Sequence, residues 1–167
     1  MWNKLVPGKV NMLIWCLSKS RLPTRNNLSI KGIRVNSILC PCCLSQPETE
    51  DHILFGCSST KEIGDYVRNW WSSFPYQASN LAEFFFAAQF PFKGKTEKDA
   101  LEVILMAFIW VLWANRNALV FNKSPKSPVV LSKEIVLFSY NWLRVRSKSC
   151  NNLDWNAWCI SPLSALL

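Results

Sequence analysis

Cys40, Cys43, His52 and Cys57 stand in the order Cys-x2-Cys-x8-His-x4-Cys, and those side chains at that spacing can grip one divalent cation. Three thiolates and an imidazole make a Cys3His set, the ligand chemistry of a structural zinc site. The short gap between Cys40 and Cys43 lets a tight turn aim both thiolates at one ion. His52 and Cys57 would close the tetrahedron from the start of a following helix. With four protein ligands no coordination position is left for water or substrate, so Zn2+ held this way folds a loop and catalyses nothing. Cys42 is a further thiol in the Cys40-Pro41-Cys42-Cys43 run. Adjacent side chains point in different directions, which pairs Cys40 with Cys43 and leaves Cys42 as a spare thiol beside the site. Pairing Cys42 with Cys43 is the competing assignment. His52 is the single histidine of the chain, and it falls inside the cysteine cluster. Buried free cysteines beside a hydrogen-bonded histidine would be the plainer explanation. A disulfide framework sits badly with seven cysteines, an odd number, and with the lack of any segment resembling a secretory signal. That combination points to nucleus or cytoplasm and away from secretion.

The elements that must position these ligands read mostly as helix. Pro7 suits a first helical position, and Met12, Leu13, Trp15, Cys16 and Leu17 give a buried face through about Ser20. Pro23 interrupts, Thr24 can cap, and a short helix is predicted over Arg25–Lys31 before Gly32 stops it. An extended segment, Ile33–Leu39, delivers Cys40. Thr49 or Glu50 starts the turn carrying His52, with Ile53, Leu54 and Phe55 packed inward and Glu50 as a charge at the helix N-terminus. The next helix, about Thr60–Trp71, presents Ile63, Val67, Trp70 and Trp71 on one side. Pro75 and Pro91 bracket a short helix near Leu81–Phe86. The longest element runs from about Glu97 to Asn122, with twelve apolar residues in a row from Val103 through Ala114. A bilayer span needs about 20, and Glu102 and Asn115-Arg116-Asn117 close both ends, so a central core helix is favoured over a membrane span. Ser127 and Pro128 begin another helix whose Leu131, Ile135, Phe138, Trp142 and Val145 form a 4-3-4-3 stripe. It can pack along the long helix as an antiparallel pair, or dock a second chain. The fold class is therefore mainly α: a small Cys3His helical module over residues 1–72, then a helical C-terminal extension over 73–167.

Half of the 167 residues are apolar and nine are Trp, which excludes a disordered chain and allows one ordinary core with a small metal module. The net charge of +8 is unevenly spread. Residues 1–47 hold Lys4, Lys9, Lys19, Arg21, Arg25, Lys31 and Arg34 and no acid, and residues 116–148 hold seven more cations against Glu134 alone. Basic ends around a metal module suit phosphate contact, and solvated helix faces explain them equally well by charge alone. Trp70, Trp71, Trp155 and Trp158 read as core, as interface residues, or as stacking platforms for bases.

The residues match a known pattern. Trp2-Asn3-Lys4-Leu5-Val6-Pro7-Gly8-Lys9-Val10, the apolar helix with Trp15, Arg21-Leu22-Pro23-Thr24 leading to Leu28 and Gly32, and Cys40 to Cys57 with Glu48-Thr49 and His52-Ile53-Leu54-Phe55 follow one another in order. In that order and spacing the chain resembles the reverse-transcriptase zinc-binding domain of plant LINE-type (non-LTR) retrotransposon polyproteins. A looser likeness continues through Trp110, Trp113, Asn115-Arg116-Asn117 and Val120-Phe121 to Leu153-Asp154-Trp155 and Trp158-Cys159. The resemblance implies binding of nucleic acid, template RNA or target DNA, with Lys9, Arg21, Arg25, Lys31 and Arg34 as candidate contacts. One departure is Cys16, where relatives more often carry a basic residue after the tryptophan. Relatives have hundreds of residues before this motif run, so a truncated copy or a non-functional remnant of the element is the expectation for a chain starting at Met1.

Polymerase and endonuclease chemistry needs clustered carboxylates holding divalent metals. The chain has 11 acids and no adjacent Asp-Asp pair, and its one acidic cluster, Glu48 to Asp51, lies inside the metal loop. The expectation is a non-enzymatic module that takes neither a small-molecule substrate nor a membrane. Docking on a polymerase body, with no contact to nucleic acid, is the competing structural role.

Overall fold

The computed structural model describes residues 2–72, 74–75, 77–86, 94–121 and 124–166, which carry eight α-helices and no strand. Pro7 sits at the N-cap of α1 (Gly8–Ser18), and Val10, Leu13, Ile14 and Leu17 recur at helical spacing as its buried stripe. Met12 and Trp15, expected on that face, are exposed, because a 3.6-residue period sets them on the opposite side. Asn11 is buried among the apolar residues with both ends of its amide bonded: it accepts from Asn3 N–H at 2.8 Å and donates to Asn3 C=O at 2.9 Å. Thr24 Oγ1 accepts from Asn27 N–H and caps α2 (Arg25–Ile30), and Gly32 turns the chain away in a left-handed conformation, φ +75°.

After the metal loop comes α3 (Ser58–Trp70), which buries Ile63, Gly64 and Val67. Trp71 and Trp158 are fully buried, Trp70 donates its indole N–H to Trp158 C=O at 2.7 Å, and Trp155 packs edge-on to Tyr140. Trp71 and Trp158 therefore belong to the core and offer no face to a base. A short helix, α4 (Leu81–Phe86), inserts Phe84 among Phe55, Phe74 and Phe108.

The centre of the molecule is α5 (Lys95–Val120). It is long and apolar enough to cross a membrane by length and composition. In the fold it is walled in by α1, α4 and α6 (Pro128–Arg146), and every residue from Val103 to Ile109 is buried. A helix apolar on all sides is what a position surrounded by other helices selects. Each of its buried Leu, Ile and Phe side chains contributes about 1.5–3 kcal/mol by leaving water.

Ser127 caps α6 through Val130 N–H, with Pro128 in the first turn. A link of residues 121–127 spans at most about 25 Å, too short to return a partner of α5 to its start, so the two helices run antiparallel. Leu131, Ile135, Ser139, Trp142 and Leu143 are buried, whereas Val145, expected in the stripe, is 81% exposed. A 4-3-4-3 repeat drifts about 20° per seven residues on a straight α-helix; after two repeats the face has rotated to Ser139 and Leu143. A short 3-10 turn (Lys148–Cys150), α7 (Trp155–Ile160) and α8 (Pro162–Ala165) complete the chain. Pro91 and Asn122, two of the expected boundaries, lie outside the described residues.

Candidate metal centre

The loop between α2 and α3 is built as a pinched hairpin. Glu48 N–H donates to Ile38 C=O and Cys40 N–H to Gln46 C=O, both at 2.8 Å, and Leu39 bridges Pro47. Inside the pinch the chain reverses so that Leu44 N–H reaches back to Cys40 C=O at 2.8 Å, with Leu44 held at φ +57°. That left-handed geometry is costly for a residue with a Cβ, and it turns Cys40 and Cys43 to the same side. Across from them Thr49 Oγ1 caps the backbone N–H of His52, and a wide π-helical turn follows, His52–Gly56.

The wide turn answers a spacing problem. On an α-helix residues five apart diverge by about 140°. Here Cys57 N–H bonds directly to His52 C=O at 2.7 Å, an i to i+5 closure that stacks the two ligands. The sequence placed His52 and Cys57 at the start of an α-helix; the extra residue per turn is what brings them together. Ile53, Leu54 and Phe55 point into the core and anchor the turn, as their apolar character requires.

Cys40, Cys43, His52 and Cys57 each offer one ligand atom, and these atoms all lie within 4.8 Å of one another. Cys43 Sγ and His52 Nε2 are 3.3 Å apart. A tetrahedral ion with Zn–S of about 2.3 Å and Zn–N of about 2.0 Å would give ligand–ligand edges of about 3.5–3.8 Å, so the set fits an ion of that size with small adjustment. The Cys40 thiol is pushed up to about 11, first by its hydrogen bond with Cys42, with burial adding to it. The Cys57 thiol is pushed up further, first by its bond with Cys40 and then by burial, while the Ser59 and Thr60 N–H groups at the amino end of α3 pull the other way. Cys42 moves down because Cys40 donates to it. Burial raises Cys43, and hydrogen bonds from the Ser45 hydroxyl, the Ser45 and Gln46 backbones and His52 outweigh it to bring that thiol below its usual range. A bound cation favours the thiolate forms that burial alone opposes.

A buried ion pair locks the loop to the rest of the molecule. Glu48 is completely buried, and Arg116 of α5 grips its carboxylate with Nε at 2.6 Å and Nη2 at 2.7 Å. The Arg25 backbone N–H donates to the same carboxylate, and Arg116 also donates to Pro23 C=O and stacks 4.8 Å from the Trp113 ring. Glu50, expected to act as a helix-end charge, instead accepts from Leu22 N–H at 2.8 Å and Asn27 Nδ2 at 3.2 Å, and burial raises its carboxyl above the usual range. Arg116 was counted from sequence among the basic residues of the C-terminal half; it is internal and neutralised. The partners are 68 residues apart, so no local spacing signals the pair.

Residues 1–63 match the family described as zinc-binding in reverse transcriptase. The match takes in α1, α2, all four ligands and the first turn of α3; what it identifies is a metal-binding domain of those proteins, not a catalytic one. No curated protein and no solved structure matches the chain.

Of the five candidate phosphate contacts, Lys9, Arg25 and Arg34 line one open cleft beside α5, and Arg21 and Lys31 lie on exposed surface outside it. Lys9 Nζ rests 4.8 Å over the Trp110 ring, and Arg21 lies 6.0 Å from the ring of Trp15. The Arg25 guanidinium donates to Leu39 C=O at 2.7 Å, so it also braces the extended segment that leads to Cys40.

Proposed function

We propose that this chain is a zinc-folded, nucleic-acid-binding module of the kind that accompanies the reverse transcriptase of a plant non-LTR, LINE-type retrotransposon. One observation carries the reading: three thiols and an imidazole converge within 4.8 Å inside a segment that matches a zinc-binding reverse-transcriptase family. Sulfur-rich tetrahedral sites select zinc among the abundant divalent ions. Cys40, Cys43, His52 and Cys57 would hold it, and the ion would supply folding energy to the loop rather than reactivity. The chain binds and does not catalyse, since its 11 acids form no pair of the Asp-Asp type that polymerase chemistry uses.

Nucleic acid is the ligand that the charge supports. The first 47 residues carry seven cations and no acid, and none of the five candidates is held in an ion pair among the described residues. Metal analysis of the purified protein tests the first half of the proposal: one zinc per chain is expected, and none in Cys43→Ser or His52→Ala. Labelled RNA and DNA oligonucleotides at low salt test the second. Binding that weakens steeply with salt is expected, and no binding to either by zinc-loaded protein would end the nucleic-acid reading while leaving the metal site intact.

A further inference from the structure

Beside the metal loop, α1, the segment 34–37 and the C-terminal half of α5 enclose an open cleft of about 790 Å³. We propose that this cleft seats an unpaired base of a single-stranded nucleic acid, with the neighbouring phosphates on Lys9, Arg25 and Arg34. The inference rests on the nucleic-acid reading above and narrows it to one strand state and one place.

Charge and surface chemistry together select this occupant. Every charged side chain lining the cleft is cationic, and Glu48 neutralises only the deepest of them, Arg116. Three cations are left on the rim with no acid among them, a surface complementary to a phosphodiester chain. Between them the wall is apolar and aromatic, with Trp110 half-buried and Met12 exposed. A duplex keeps its bases stacked inside and presents sugar and phosphate, which would gain nothing from such a wall. A single strand turns a base outward, and base–aromatic stacking plus a cationic track is the general solution for holding it. Lys9 now covers the Trp110 ring at 4.8 Å; its flexible stem can swing to a phosphate and free the indole face. Asn36 and Asn117 also line the cleft and bring amide groups to it; Asn117 Oδ1 already accepts from Arg116 at 3.0 Å, which leaves its NH2 to donate.

The test uses zinc-loaded full-length protein and labelled ten-nucleotide probes: single-stranded RNA, single-stranded DNA, and the same DNA as a duplex, followed by fluorescence anisotropy across a salt series. Single strands should bind at least tenfold tighter than the duplex. Lys9→Ala with Arg34→Ala should lower the log–log salt slope by about 1.4, about 0.7 for each lost phosphate contact on a single strand. Trp110→Leu should weaken single-strand binding roughly tenfold and leave duplex binding as it was. Lys133→Ala with Arg146→Ala, exposed on α6 and outside the cleft, serves as the control and should change little. Lys9 and Arg34 are both exposed, so that double variant decides the matter even if Trp110→Leu misfolds. Equal affinity for duplex and single strand overturns the proposal. So does unchanged binding in the cleft variants when Arg21→Ala with Lys31→Ala weakens it, a result that keeps the nucleic-acid reading and moves the contact elsewhere. Tighter binding of an acidic, aromatic-bearing peptide, lost in the same variants, overturns it in favour of a protein partner. Absence of any oligonucleotide binding overturns both readings at once.

Discussion

In their buried setting Cys40 and Cys57 both hold their protons more tightly than a free thiol: Cys40 first through its hydrogen bond with Cys42, against the opposing pull of Cys57, and Cys57 first through its bond with Cys40. With Cys40 pushed up to about 11 and Cys57 pushed in the same direction, both are protonated at neutral pH until a cation arrives. Metal binding takes the thiolate form, so the two protons must leave as the ion enters. The sign follows: falling pH opposes metal binding, and rising pH favours it until the thiols ionise unaided. For each unit that pH falls around neutrality the apparent affinity should drop by at least about two log units, measured by competition with a chromophoric chelator between pH 6 and 8. A pH-independent affinity would mean that these thiols are not ligands. Cys42→Ser should leave the metal stoichiometry unchanged, as the sequence reading of Cys42 as a spare thiol requires. At this scale the sequence was highly legible, because the ligands lie within 18 residues and their spacing is a local property. The π-helical turn at His52 was not, since no propensity rule marks where a helix accepts an extra residue. Nor does composition announce Leu44 in a left-handed conformation, where glycine is the usual choice.

Between elements, the Glu48–Arg116 pair is the connection that joins the metal loop to the central helix. Its side chains are 0% and 5% exposed, so removing one partner strands a charge without water. Breaking a buried pair in this way costs about 3–5 kcal/mol, well above a surface ion pair such as Lys126–Glu134, worth about 0–1 kcal/mol. Arg116→Met and Glu48→Gln should each lower unfolding free energy by about 3–5 kcal/mol in urea titrations with excess zinc, which keeps the site loaded. The double variant should be less destabilised than the sum, since neither charge is then left alone. A loss below about 1 kcal/mol for either single variant would show that water reaches the pair. Sequence pattern located α1 to α6, passed over the short α7 and α8, and missed this link for a plain reason: periodicity reports which face is apolar, not which distant side chain a lone arginine meets. The same limit explains Met12, Trp15 and Val145, each assigned to a buried stripe by a nearby apolar residue and placed outside by the helical phase.

Across the whole molecule, residues before and after position 72 enter one continuous core. Val10, Leu13, Ile14 and Leu17 of α1 lie in the same cluster as α5, Ile63 and Val67 join it from α3, which packs on α6, and Trp70 and Trp71 meet Trp158. A peptide of residues 1–72 would keep the four ligands and lose all three of those partners, along with Arg116 beneath Glu48. Zinc can offset part of this: small sites of this type contribute apparent binding energies of about 10–16 kcal/mol. That energy acts on residues 38–60, where the ligands and their hydrogen bonds lie, and does nothing for the apolar face of α1. Fully buried Leu and Ile side chains left in water cost about 1.5–3 kcal/mol each, and a domain of that size has little margin to absorb several of them. The peptide should therefore bind one zinc with tetrahedral thiolate absorption in its cobalt form, while its remaining residues show poor amide dispersion and no cooperative thermal transition. Full-length protein under the same conditions should unfold in one step with α1 and α5 protected together in hydrogen exchange. If the peptide instead melts cooperatively with well-dispersed amides for α1, the metal loop alone suffices to order the first helix and the continuous core is not what holds it.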